Sequence, residues 1–463
     1  MPTTRRRKTT KMHKLLETSL GPRVGQLRAA PVRLGPRQPP GILLAYCADF
    51  DVDPWVEMFF FPSDTLKLAV MSPSGELLWR RDLGPGVVPG VWFCPVLPFD
   101  LDCDGADELW FVGNTDADHP LGLSHYVLER VDPITGATTG QWPWPHLGPE
   151  QSLSHTFRNF LIGGQVMGQP VLVTAQGTYG DMYLQTWDPG IRPRWQRHIR
   201  ADEPGARGSH MCPVVDINGD GVDELMWGER CISLDTGAEL FCADRHSYSG
   251  HSDVVQPLLK RDSGRWLLYT CRESDGDSAP RVAAYDAAGA RLWGQLDVGH
   301  VDMGWAARIH AHGVPTAVAI RIGHKSAGPS GRFHQGVEQF VFDGFTGEPR
   351  TLLFSAYRTV PVDVNGDGIH ELVRGLPGGD GALLDGEGRE LARLGGTVAA
   401  ASKLMDHPGE QVLCYYPDGT LVVWGDANAI DSQEAHARYR HPYYASAQRL
   451  GAVGYNLTLL AGL

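Results

Sequence analysis

Residues 214–231 read VVDINGDGVDELMWGERC, and Asp216, Asn218, Asp220 and Glu224 set acid or amide oxygens at positions 1, 3, 5 and 9 of one short loop. The same spacing returns in DFDVDPWVE at 49–57, DLDCDGADE at 100–108 and DVNGDGIHE at 363–371. Their starts at 49, 100, 216 and 363 are separated by one, two and three lengths of a unit of about 50 residues. A period of that size implies stacked supersecondary units rather than separate domains.

Other marks fill in the remaining units. Short apolar strands open them: ILLAYCADF, WFCPVLPF, HTFRNFLIGG, HMCPVVDI, HSDVVQPLL, DMGWAARI, YRTVPVDV and VAAASKLM. Turns followed by a last strand close them, as in SPSGELLW, LDTGAELF, YDAAGARLW and LDGEGREL. Short strands punctuated by turns read as propeller blades. The expectation is an all-β single β-propeller with four-stranded antiparallel blades, eight of them, or seven if the first or last unit is partial. Residues 39–430 form the propeller, 1–38 a basic, proline-rich arm, and 431–463 a C-terminal closing segment packed on it.

Composition agrees with many turns and short strands: 463 residues include 56 Gly, 33 Pro and 13 Trp. The formal charge of −13 argues against nucleic acid as a partner. The first twenty residues, MPTTRRRKTTKMHKLLETSL, lack the apolar core of a secretory signal. No apolar run approaches the roughly 18 residues of a membrane span. Eight scattered cysteines without a CxxC pair read as reduced, buried thiols, which suits a cytoplasmic protein.

In a blade with strands a to d, the acidic segment of 216–224 is the a–b loop. Alternating oxygen ligands, with Gly221 permitting a sharp turn, suit a hard cation such as Ca2+. The closing Glu at position 9 rules out an EF-hand. Expected calcium ligands are Asp100, Asp102, Asp104 and Glu108; Asp216, Asn218, Asp220 and Glu224; and Asp363, Asn365, Asp367 and Glu371. The first copy, with Pro54 in place of Gly, is expected to be empty.

The d–a approaches and b–c loops belong to the opposite face, around the channel mouth, and there the histidines and arginines gather. SHTFRN gives His155 and Arg158, GSHMCP gives His210, and RHSYSGHSD gives His246, Tyr248, His251 and Asp253. GHVDMGW adds His300 and Asp302; RIGHKSAGPSGRFHQG adds Lys325, Arg332 and His334. A cationic mouth on an acidic protein fits an anionic oligosaccharide or polysaccharide. His210 with Cys231, and His251 with Cys271, join strand-a starts to b–c loops in neighbouring blades. Convergence of the four would make a tetrahedral Zn2+ site, structural or carboxylate-neutralising, in which His246 could replace either histidine.

The acidic loops, the GHSD-type approach to strand a and the "D…G…LW" turns resemble those of the β-propeller polysaccharide lyases. That group includes rhamnogalacturonan, ulvan and rhamnose–glucuronate lyases, and the resemblance covers residues 40–460. It implies β-elimination at a uronic acid, with a His pair, a Tyr and an Arg at the mouth. On this resemblance His119 (or His125) is followed by His155, and Tyr179 with Arg230 competes with Tyr248 with Arg272. His155 is expected as base or acid, Tyr179 or Tyr248 as its partner, and Arg158 or Arg230 as the group that neutralises the carboxylate. The protein is then expected to act as a monomer or homodimer on rhamnose–uronate linkages. A different class remains open, a non-catalytic, calcium-stabilised propeller that binds carbohydrate or protein. A hydrolase is disfavoured, since no carboxylate pair stands out on that face.

Overall fold

A strand whose apolar residues run without a break must be covered on both faces, and such strands form the second positions of the blades. Gly41–Cys47 (GILLAYC) and Gln411–Tyr415 (QVLCY) are buried along their whole length. The fourth strands alternate instead: Leu77–Asp82 and Thr138–Pro143 expose every second side chain and form the outer rim. The computed structural model describes residues 10–146, 152–273, 278–311 and 313–463. Within them the strands form eight antiparallel blades around one axis.

Blade 1 consists of Gln26–Val32, Gly41–Cys47, Lys67–Met71 and Leu77–Asp82. Blades 2 to 5 begin at Val96, Asn159, Val214 and Ser252, and blades 7 and 8 at Val360 and Thr397. Blade 6 has three strands, Val301–Ala307, Thr316–Arg321 and Glu338–Asp343. A hairpin, His324–Gly328 with Gly331–Gln335, is inserted between its last two. That hairpin crosses to the far side of the mouth, where the Phe50 amide of blade 1 donates to the Pro329 carbonyl at 3.0 Å.

Two expectations are corrected here. Of the arm expected over 1–38, the described part from residue 10 onward is built into the propeller, since Met12–Ser19 is the outer strand of blade 8 and Gln26–Val32 the inner strand of blade 1. The arginine run at 5–7 lies outside the described residues. Pro31 made the second of these strands hard to recognise. It is tolerated because the inner strand pairs on one side only. ILLAYC is therefore strand b rather than strand a, so DFDVDPWVE is a b–c loop at the mouth, on the face opposite the other three acidic loops.

The ring is closed by Met12–Ser19 pairing with Thr420–Asp426. The C-terminal segment does something else. Two helices, Gln433–Arg440 and Pro442–Arg449, are each capped at the start, by Ser432 and His441. They pack on the acidic-loop face, and the chain beyond them enters the channel. Residues 450–452 lie against blades 1 and 2, and 459–462 against blades 5 and 6. Gln256 of blade 5 donates to the Thr458 carbonyl at 3.0 Å. The channel is thus plugged, and Tyr455 forms part of the floor of the mouth. No helix is long and apolar enough to cross a membrane among the described residues.

Candidate active site

Above the plug lies a cavity of about 510 Å3, lined from blade 1 round to blade 8. Its polar wall comes from the d–a approaches and b–c loops, as the sequence pattern implies. Arg158 ends the short approach to blade 3, held where its Nε donates to Ser154 Oγ at 3.2 Å. Its guanidinium lies between the rings of Trp92 and Tyr179, at 5.2 and 5.1 Å. Asp53, from the displaced acidic segment, takes Arg158 on one oxygen at 3.2 Å and Arg332 of the crossing hairpin on the other at 3.0 Å. Arg158 Nη1 and Arg332 Nε are buried without an acceptor among the described residues. Two fixed guanidinium groups with spare N–H donors make a receptor for a carboxylate.

Tyr179 sits in the b–c loop of blade 3 with φ 70°, the left-handed region. Its amide donates to the Arg207 carbonyl at 3.1 Å. Such a backbone costs a non-glycine residue about 1–2 kcal/mol and is held only where its surroundings impose it. The result aims the phenol at His210 Nε2, 3.3 Å away. His210 Nδ1 faces Asp253 Oδ1 at 3.3 Å, and the same oxygen meets His251 Nε2 at 3.2 Å. Glu273 completes the set at 2.7 Å from His251.

Electrostatics divide the two imidazoles. Burial holds His210 well below the ordinary histidine value, and the cations Arg158 and His251 push the same way. Burial also opposes charge on His251, but Glu273 and Asp253 outweigh it and raise that ring to about 9. Glu273 is held well below the usual carboxylate range, burial being overcome by His251, His300 and Lys325. The site therefore carries a neutral imidazole beside a charged one. Lys325, from the hairpin, binds Glu273 at 2.5 Å and also binds Asp302.

The raised His251 carries a consequence for stability. Its contribution is fully present below the ordinary value near 6.5 and is lost as pH rises through about 9. Denaturant midpoints measured from pH 7 to 10 are expected to fall across that window. In His251→Gln the fall should be shallower; an identical profile would remove the ring from this role.

Of the residues expected from sequence, Arg158, Tyr179, His210 and His251 come together. His155 stands at the rim, its ring 6.1 Å from that of Tyr179. His119 and His125 lie on the outer, exposed part of a long loop, and neither lines the cavity. Arg230 is a correction: it is wholly buried, pinned to the carbonyls of Pro204 and Ala206 and to Glu239. A two-residue turn at Gly228 and Glu229 pairs Trp227 with Arg230, so Arg230 and Cys231 already belong to strand c. Tyr248 and Arg272 are also buried, stacked 3.9 Å apart. Tyr248 donates to the His251 carbonyl from below.

The four-ligand zinc set is not assembled. Cys231 is packed in the core, and Cys271 lies in its strand with Sγ directed at the Tyr269 hydroxyl. Burial raises both thiols, Cys271 to about 12. Sequence reasoning missed Glu273, although strand alternation could have found it: Arg272 turns into the blade and the next residue leaves it at the mouth. It also placed Asp53 on the wrong face.

On the opposite face the three remaining acidic loops share one geometry. In 216–224, Asp216 accepts the amides of Gly219, Asp220 and Gly221 at 2.7, 3.1 and 2.9 Å. Glu224 accepts the Ile217 amide at 3.0 Å, and burial with Asp220 and Asp216 nearby raises it to about 7. Glu108 is raised to about 7 and Glu371 well above its ordinary range, each chiefly by burial. Two loops already hold a cation of the chain itself: Arg33 reaches Asp100 at 3.0 Å, and Arg438 reaches Asp363 at 3.3 Å.

No protein-family model matches the chain. The rhamnogalacturonan exolyase YesX of Bacillus subtilis (strain 168) is 25% identical over 270 residues, 51% of this chain and 43% of that protein. The endolyase YesW of the same organism is 24% identical over 270 residues, 51% and 42% of the two chains. The alignable part thus spans less than half the length of these relatives. Among solved structures, the Bacillus licheniformis rhamnogalacturonan lyase PL11 superposes with a TM-score of 0.72 at 18% identity, over 97% of this chain and 81% of that one. Exotype YesX gives 0.70 at 18%, over 95% and 80%. These likenesses establish the eight-bladed fold.

Proposed function

We propose that the protein is a polysaccharide lyase that cleaves a rhamnose–uronate linkage by β-elimination. The observation that carries this is the pairing of a neutral His210 and Tyr179 with Arg158 and Arg332, each of which has one buried nitrogen, Nη1 and Nε respectively, without an acceptor among the described residues. The similarity to two rhamnogalacturonan lyases supports the same reading.

The chemistry sets three demands, and each has a candidate. The uronate carboxylate must be neutralised before its C5 proton is acidic enough, and Arg158 with Arg332 does this. With its proton on Nδ1, which faces Asp253 Oδ1 at 3.3 Å, the neutral His210 can use its Nε2 lone pair to take the C5 proton. The C5–H electron pair becomes the C4–C5 double bond, the C4–O bond breaks, and the Tyr179 hydroxyl protonates the departing oxygen. His210 Nε2–H then returns its proton to the Tyr179 oxygen, so the site is reset without another reactant. Part of the cavity wall is apolar, with Met303, Trp305, Ile320, Ile322 and Leu376, which suits the methyl group of a 6-deoxy sugar.

The test is ultraviolet absorbance of an unsaturated uronate during incubation with rhamnogalacturonan oligosaccharides. Absorbance should rise with time, and its absence on every rhamnose–uronate substrate would overturn the proposal.

Calcium belongs to the same reading, as a structural ion in loops 100–108 and 216–224. The carboxylate oxygens of Asp100, Asp102 and Asp104 lie within 4.8 Å of one another, and burial, with neighbouring carboxylates adding to it, raises Glu108 and Glu224; both observations support it. In 363–371 the enclosed Arg438 already faces the first carboxylate, whereas Arg33 at Asp100 is half-exposed and free to be displaced. Calcium at about 100 times its Kd should stabilise the fold by roughly 2.7 kcal/mol per site. Melting curves with calcium or chelator check this: the Asp220→Ala variant should respond less than the parent, and no response in the parent would remove the ion.

A further inference from the structure

A second cavity, of about 550 Å3, opens on the acidic-loop face between blades 5, 6 and 7 and the first C-terminal helix. Its innermost charge is Arg308, just past the inner strand of blade 6 and only 6% exposed. The guanidinium donates to the carbonyls of Gly313 and Leu259 at 3.3 and 3.0 Å, and Nη1 is buried without a partner among the described residues. Other cations nearby have their own counter-charges. Arg261 pairs with Glu434 at 3.3 Å, Lys260 reaches Asp262 at 4.0 Å, His310 lies 3.8 Å from Glu387, and Arg438 is held by Asp363 and Glu410. Arg308 meets no carboxylate among the described residues.

A buried guanidinium satisfied only in part by carbonyls is costly unless an anion joins it. Burial and the neighbouring Arg261 lower Arg308 to about 10, outweighing the pull of Glu434. The Phe345 ring also lines this cavity, with Lys260 Nζ 5.8 Å from its centroid. Such a ring offers an apolar face on which a sugar could lie.

We propose that this cavity is a second anion-binding site, in which Arg308 Nη1 donates to an oxyanion, with Arg261 and Lys260 at its rim. The chemistry shared by its ligands is a small carboxylate or phosphate group. A uronate residue of an oligosaccharide, resting on Phe345, is the ligand if the lyase reading holds; inorganic phosphate needs no such premise. The site is independent of the mouth, being on the opposite face of the propeller.

Calorimetric titration of the full chain with inorganic phosphate and, separately, with an unsubstituted galacturonate dimer tests this. At least one should bind, and Arg308→Gln should weaken it by about tenfold or more, the cost of losing a buried charged donor. Arg158→Gln, which alters the mouth, should leave this binding intact. Should Arg308→Gln fail to fold, Arg261→Gln at the rim should still weaken binding by about two- to threefold. Binding by the dimer alone indicates a sugar site, and binding by phosphate indicates a general oxyanion site; either supports the proposal. Absence of binding by both, or loss in Arg158→Gln with retention in the Arg308 and Arg261 variants, overturns it. Neither result bears on the absorbance assay, so the two proposals fail separately.

Discussion

Tyr179→Phe is expected to lower kcat on a rhamnose–uronate oligosaccharide by about 10^2–10^4-fold while KM changes little. The substitution removes one hydroxyl and keeps the ring that packs 4.1 Å from His251 and lies over Arg158. The carboxylate receptor and the fold should therefore persist, and the loss should fall on the proton transfer alone. Burial raises the phenol well above its ordinary value, against the pull of Arg158, so the hydroxyl stays protonated and able to donate. Activity within a few-fold of the parent would remove Tyr179 from the chemistry. A matched rise in KM would instead make it a substrate-positioning residue.

Arg438→Ala is expected to cost about 3–5 kcal/mol of stability, the range for breaking one partner of a buried ionic network. Arg438 lies in the first C-terminal helix, wholly enclosed. It reaches Asp363 at 3.3 Å, Glu410 at 2.9 Å and His370 Nε2 at 3.1 Å. Burial already raises Asp363 to about 7 despite this arginine. Without it, two enclosed carboxylates lose their cation, and Tyr444, which donates to Glu410 at 2.8 Å, is left as a neutral partner. Urea unfolding at pH 7.5 checks the magnitude, and a loss under about 1 kcal/mol would show the network to be dispensable.

The repeat was legible because each blade needs the same turns, and turns have strict chemistry: Asp for backbone amides, Gly for positive φ. A count of eight blades, or seven if a terminal unit were partial, followed from that pattern. The phase of the first blade did not, because an acidic string can serve either face. In 49–57 Asp53 binds arginines of the mouth, whereas in 216–224 Asp216 caps its own loop. Which residues would line the mouth was legible by face but not by depth. Arg158 and Arg230 look alike in sequence, yet one ends at a cavity and the other is spent on carbonyls of residues 204 and 206. That difference depends on a two-residue turn after Trp227, and its length decides whether the next side chain faces solvent or the neighbouring strand. His210 and Tyr179, from different blades, meet only because the ring fixes the angle between them.

The seam of blade 8 sets an order of events for folding. Lys11 and Asp426, 415 positions apart, are joined there by a hydrogen bond from the amide to the carboxylate. Until the strand Thr420–Asp426 has been made, Met12–Ser19 has no partner, and the inner blades stand as an open arc with a bare edge. Ring closure is then the last and slowest step, governed by the search for a contact of very high sequence separation. Any subglobal opening of the mature protein should begin at that seam, with amide exchange in Met12–Ser19 faster than in the blades opposite.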